Sequence, residues 1–196
     1  IIHRDINPSN VIVQPDDQIK ILDFGLSCPA GTEDFGNTGT AQYMAPEQID
    51  ADPVDGRTDI YALGITAYEM VTGRLPFVNS DLNTLLKMHT THDIPDPAEL
   101  VPDIPGELRD FILTAGRCIP RKRYASMGHA MEALDPLLSQ SKPIKRLKSL
   151  NHDGLSTLVL SYKKEQQADL NRLLASFRTQ AQALGVAVKM ADYKNM

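Results

Sequence analysis

The chain has 196 residues, 42% of them hydrophobic and 23% charged, an ordinary globular balance that is long enough to bury a real core. A net charge of −5 gives no ground for a nucleic-acid or anionic-membrane partner, and no apolar run approaches the roughly 18 residues that cross a bilayer. The two cysteines, Cys28 and Cys118, lie far apart and fit no metal-ligand spacing, so a reduced, cytoplasmic setting is expected.

The first twenty-five residues carry the densest signal. Val11, Ile12 and Val13 form one β-branched run, and Ile19 to Leu22 form another. Gln14-Pro15-Asp16-Asp17-Gln18 between them has the composition of a turn. The pattern predicts loop, strand, turn, strand, loop. Such a hairpin returns its two polar loops to one end, so that Asp5, Asn10 and Asp23 converge.

Residues 26–44, with Gly31, Gly36 and Gly39, show no sustained hydrophobic period and read as a loop. Pro46 suits the first turn of a helix. Residues 58–72 are apolar on nearly every face, the mark of a buried helix, and Gly73 supplies its stop. A short helix is predicted over 81–89. His89 and His92 lack a third ligand nearby and read as exposed histidines. Pro95, Pro97, Pro102 and Pro105 mark a non-helical connection. Helices are predicted over 107–118 and 126–138, the second capped by Ser126. Residues 139–154, with Lys142, Lys145, Arg146 and Lys148, read as a polar linker. Residues 155–196 read as a β-α-β extension: strand around Leu158–Leu160, amphipathic helix over 163–184, strand over 186–190. This unit is too small to fold alone. It is either the start of another domain or a dock, for the preceding lobe or for a partner.

Three short motifs occur in order. His3-Arg4-Asp5 followed by Asn10 resembles the catalytic loop of a eukaryotic-type Ser/Thr protein kinase. Asp23-Phe24-Gly25 resembles its metal-binding triplet, and Ala45-Pro46-Glu47 the end of its activation segment. Asp59-Ile60-Tyr61-Ala62-Leu63-Gly64 is a further match, with tyrosine where many relatives carry tryptophan. The resemblance runs from Ile1 to about Leu138. It implies a mainly α fold with a small β-hairpin, the C-terminal lobe of a kinase, followed by the extension.

The resemblance also implies roles. Asp5 would be the base that orients the substrate hydroxyl, and Asn10 and Asp23 would hold Mg2+ on ATP. His3, Arg4, Phe24 and Gly25 complete the two motifs. Thr38 resembles an autophosphorylation site whose phosphate would pair with Arg4. Thr40 resembles the threonine beside the catalytic aspartate. Glu47 would form a buried ion pair with Arg123, and Asp59 would support the catalytic-loop backbone. In the family the glycine-rich loop, ATP-anchoring lysine and helix glutamate precede this region. The chain is therefore expected to be a fragment, inactive by itself.

One position departs from the pattern. Asn7 stands where Ser/Thr members carry lysine. An amide dipole in place of a full charge could cost about 3–4 kcal/mol of transition-state stabilisation. This variant and the short activation segment suggest a bacterial member. The function implied is ATP-dependent transfer of phosphate to Ser or Thr hydroxyls of a protein substrate. The alternative is a pseudokinase scaffold that binds a partner through its C-terminal extension.

Overall fold

The computed structural model of the chain describes residues 1–14, 19–33, 39–140 and 191–192. Two strands form the hairpin at the N-terminal end, β1 (Val11–Val13) and β2 (Ile19–Ile21). They pair antiparallel in the register Val11↔Ile21, Ile12↔Lys20, Val13↔Ile19. Every β1 side chain is buried, whereas β2 alternates, with Lys20 outward between Ile19 and Ile21. A two-residue strand, β3 (Ala191–Asp192), lies parallel to β1 and pairs with Ile12 and Val13. The described sheet thus has the order β2-β1-β3, one strand more than the expected hairpin. Residues 141–190, which hold most of the predicted linker and the β-α-β extension, lie outside the described residues.

The remainder is helical. A one-turn helix, α1 (Pro46–Ile49), has proline in its first turn. The central helix, α2 (Gly56–Thr72), starts at Asp55, whose carboxylate accepts the Arg57 N–H at 2.8 Å. It stops at Gly73, in the left-handed region at φ +70°, whose N–H returns to the Glu69 carbonyl. From Thr58 to Val71 only Glu69 escapes burial, so α2 is the axis around which the rest packs. It crosses α4 (Gly106–Ala115) closely. A Cβ on Gly64 would sit 2.9 Å from both the Ala115 Cβ and the Gly116 nitrogen, which is why glycine stands mid-helix. Tyr61, Phe111, Ile60, Leu63, Leu108 and Ile112 are among the largest fully buried side chains of the core.

Helix α3 (Leu82–Thr91) is capped by Asp81, which accepts the Thr84 N–H at 2.8 Å. His89 is fully buried on it, against the expectation of an exposed histidine. It continues the face of Leu85 and Leu86 at helical spacing, so the apolar stripe carries it inward. The predicted helix over 126–138 is two helices, α5 (Met127–Glu132) and α6 (Asp135–Gln140). Pro136 is the cause: it lacks the N–H that would continue α5 and is tolerated only in a first turn. Ser126 caps α5, accepting from the His129 N–H. Helix α6 extends past the expected boundary at residue 138. Among the described residues no helix is long and apolar enough to cross a membrane.

Candidate functional site

The site lies where the loop before β1 meets the turn after β2. The Leu22 N–H donates to the Asn10 carbonyl at 2.8 Å, extending the hairpin and placing Asp23 beside Asn10. His3 ties the two loops together. Its Nε2 faces the Leu22 carbonyl at 2.9 Å, and its Nδ1 faces the Asp5 N–H at 3.3 Å. A carbonyl needs a donor and an N–H needs an acceptor, so these contacts assign the Nε2–H tautomer. The His3 ring also meets Phe24 edge-on, with centroids 4.8 Å apart. Beyond Asp23, an antiparallel bridge between Ile2 and Cys28 closes the other end of the loop.

The Asp59 carboxylate holds the backbone of the first loop, accepting the His3 N–H at 2.9 Å and the Arg4 N–H at 3.0 Å. Burial pushes its pKa up, against the pull of these two donors. Arg4 and Asp23 both sit in the left-handed region, at φ +70° and +59°, rare for residues other than glycine. Strain of this kind persists where surrounding contacts over-determine it. Here those contacts include Asp59 on Arg4 and the Gly25 N–H on the Asp23 Oδ1 at 3.2 Å. The Arg4 side chain donates from Nε to the Leu26 carbonyl at 2.5 Å.

The Asp5 carboxylate is held on both oxygens. Oδ1 accepts the Thr40 N–H at 2.8 Å, and Oδ2 accepts from Asn10 Nδ2 at 2.8 Å. Among the described residues each oxygen keeps a second lone pair. Asn10 Nδ2 also donates to the Asp5 carbonyl at 2.9 Å, which turns its Oδ1 away from Asp5. The Asn10 Oδ1 and the exposed Asp23 carboxylate form an all-oxygen donor set, suited to a hard cation such as Mg2+. Asn7 does not face outward with them. It is buried, and its amide is bonded to Asp5, Ser9 and Thr40. Thr38 lies outside the described residues.

A second constellation stands behind this one. Glu47 and Arg123 form a bidentate pair at 2.7 and 2.9 Å, buried on both sides. The remaining Arg123 donors reach the carbonyls of Arg117, Arg57 and Cys118 at 2.7, 2.9 and 3.0 Å, so all five guanidinium N–H groups are used. Its guanidinium lies 4.7 Å from the Tyr61 ring centroid. The Tyr61 hydroxyl in turn meets His89 Nδ1 at 2.8 Å. Arg121 and Lys122 are exposed.

Sequence reasoning missed three contributors. Thr58 donates its hydroxyl to Glu47 Oε1 at 2.8 Å. Gln48 donates from Nε2 to the Arg4 carbonyl at 3.0 Å, while its Oε1 accepts the Ala45 N–H at 3.1 Å. Gly39, at φ +124°, brings its loop flush with the backbone of the loop before β1; a Cβ there would lie 3.0 Å from the Arg4 carbonyl oxygen. Only its glycine identity hinted at this close approach.

Comparison with known proteins decides the family. A protein kinase domain model matches residues 1–135. The chain belongs to the protein kinase family. The kinase chain is similar to a probable serine/threonine-protein kinase of Clostridium acetobutylicum, 40% identical over 141 residues, which are 70% of this chain and 21% of that protein. It is 37% identical over 167 residues to the serine/threonine-protein kinase Pkn1 of Myxococcus xanthus, covering 81% of this chain and 24% of Pkn1. It is also 36% identical over 144 residues to the tyrosine-protein kinase MasK of Myxococcus xanthus, covering 71% and 22%. The kinase chain thus spans about a quarter or less of the length of these relatives. They are bacterial, as the short activation segment and Asn7 suggested.

Proposed function

We propose that this chain carries the catalytic and metal-binding loops of an ATP- and magnesium-dependent protein kinase that phosphorylates Ser and Thr hydroxyls. The observation that carries the reading is the Asp5 carboxylate, fixed between Asn10 and Thr40 with a lone pair left on each oxygen. Asp5 orients the incoming hydroxyl and takes its proton as the oxygen attacks the γ-phosphate of ATP and ADP leaves. Asn10 Oδ1 and Asp23 would hold the metal, which would neutralise charge on the polyphosphate. Asp59 and His3 keep the loop in register. Glu47 and Arg123 fix the end of the activation segment to the helical body, and a phosphate on Thr38 would pair with Arg4.

Two relatives named as serine/threonine kinases support the hydroxyl class, and the name of MasK makes tyrosine the rival outcome. Incubating the full-length protein with labelled ATP and magnesium and identifying the labelled amino acids tests this. Phosphoserine and phosphothreonine are expected; phosphotyrosine alone would overturn the hydroxyl class. The burial of Asn7 favours a second reading, a scaffold that binds through the C-terminal extension. ATP binding with no transfer to any acceptor would establish that reading instead.

A further inference from the structure

Asn7 is 3% exposed, and its amide is spent inside the protein. Oδ1 accepts the Ser9 N–H at 2.9 Å. Nδ2 donates to the Asp5 carbonyl at 3.2 Å and to the Thr40 hydroxyl at 3.2 Å. Both amide hydrogens therefore have acceptors, and neither is left for a phosphate in solvent. The contact to Thr40 spans 33 positions of chain. It is one of a group of contacts that lay the activation segment on the catalytic loop. The Thr40 N–H reaches Asp5 Oδ1 at 2.8 Å, Gly39 allows the close approach, and Gln48 reaches the Arg4 carbonyl.

We infer that Asn7 is a positioning residue: it latches the Thr40 hydroxyl to the catalytic loop, and through the Thr40 N–H it sets the orientation of the Asp5 carboxylate, without touching the transferring phosphate. The inference rests on the kinase reading of the site. Thr40 is gripped at two points, its hydroxyl by Asn7 and its N–H by Asp5. A single contact would leave it free to swing about that bond. Two contacts from successive turns of one loop fix both the segment and the carboxylate. Loss of the Asn7 contact releases Thr40 and leaves Asp5 Oδ1 without its donor part of the time. The expected consequence is a slower chemical step with unchanged nucleotide affinity.

Steady-state phosphoryl transfer by the full-length protein tests this with four variants: Asn7→Ala, Thr40→Val, the double variant and Thr40→Ser. Thr40→Val removes only the latch, so it guards against misfolding of the loop in Asn7→Ala. Each single variant is expected to lower kcat roughly three- to tenfold, as for one neutral hydrogen bond, and to leave the KM for ATP unchanged. The double variant should be no slower than the slower single, and Thr40→Ser should recover most of the rate. A raised KM for ATP in Asn7→Ala, or losses that multiply in the double variant, would overturn the latch. Hydrogen exchange at the Thr40 amide reads it without turnover: slow exchange in the parent and faster exchange in Asn7→Ala are expected. Equal exchange in both overturns the latch, whereas a parent that transfers no phosphate but shows the exchange difference overturns the kinase reading alone.

Discussion

At the scale of single residues, Ala51 shares the left-handed backbone of Arg4 and Asp23, at φ +59°, but neither of the carboxylate contacts described for those two. It is exposed, in the turn after α1, and its Cβ is strained there by about 1 kcal/mol. Ala51→Gly should relieve that strain, less the added freedom of the unfolded chain, for a net gain of roughly 0.5 kcal/mol. A higher denaturant midpoint with unchanged slope is the expected result. Arg123 is the opposite case. All five of its donors are satisfied within the protein, and two of them by Glu47. Glu47→Gln leaves the guanidinium charge buried without its counter-charge and should cost about 3–5 kcal/mol of stability by chemical denaturation. Replacing both partners by apolar residues of similar volume should recover only part of that loss, since it removes the unpaired charge but leaves the carbonyls of Arg117, Arg57 and Cys118 without their Arg123 donors.

At the scale of elements, the packing of α2 on α4 turns on Gly64. A methyl group there meets the Ala115 side chain and the Gly116 backbone at 2.9 Å, and backbone cannot swing aside. Gly64→Ala should therefore destabilise by about 1–3 kcal/mol despite the better helix propensity of alanine. A stabilised variant would contradict the close crossing. The hairpin and α2 were legible in the sequence because their signals are local: two β-branched runs around a turn, and an apolar run between Asp55 and Gly73. The break between α5 and α6 was local too, written in Pro136, but the apolar spacing of the surrounding residues masked it. Helix α3 shows the limit differently. His89 lies at helical spacing from Leu85 and Leu86, so its burial could be read from position, whereas its bond to the Tyr61 hydroxyl could not. That contact joins residues far apart in sequence, and no local pattern encodes it.

At the scale of the whole molecule, His89 makes stability depend on pH. It is buried between Tyr61 and Phe77, its Nε2 has no hydrogen-bond partner among the described residues, and burial pushes its pKa down to about 4. The folded protein favours the neutral ring, so its contribution is fully present above the unfolded value near 6.5 and is lost as pH falls towards 4. The loss across that window is about 3 kcal/mol. The pairs Asp55–Arg57 and Asp96–Arg109 hold their carboxylates below the ordinary value of 3.8, so their stabilisation is lost at lower pH, while the raised carboxyls of Asp59 and Asp50 oppose the fall equally in parent and variant. His89→Gln should flatten the fall in melting temperature between pH 6.5 and 4; an unchanged slope would contradict the assignment. The same wide separation of partners explains how much of the site could be read. Asp5, Asn10, Asp23, Glu47 and Asp59 could be singled out because they stand in motifs, and Arg123 as the expected partner of Glu47. Gln48, Thr58 and Gly39 act on those residues through contacts made only when the chain folds.

The central claim is that Asp5 takes the proton of the attacking hydroxyl at a loop built for that purpose. The most direct measurement is the rate of phosphoryl transfer by the full-length protein beside its Asp5→Asn variant, with ATP binding measured on both. Asparagine keeps the size and can still accept the Thr40 N–H, but it cannot take a proton. The account predicts a rate lower by at least about 10²-fold with ATP binding retained. Equal rates in the two proteins would contradict it.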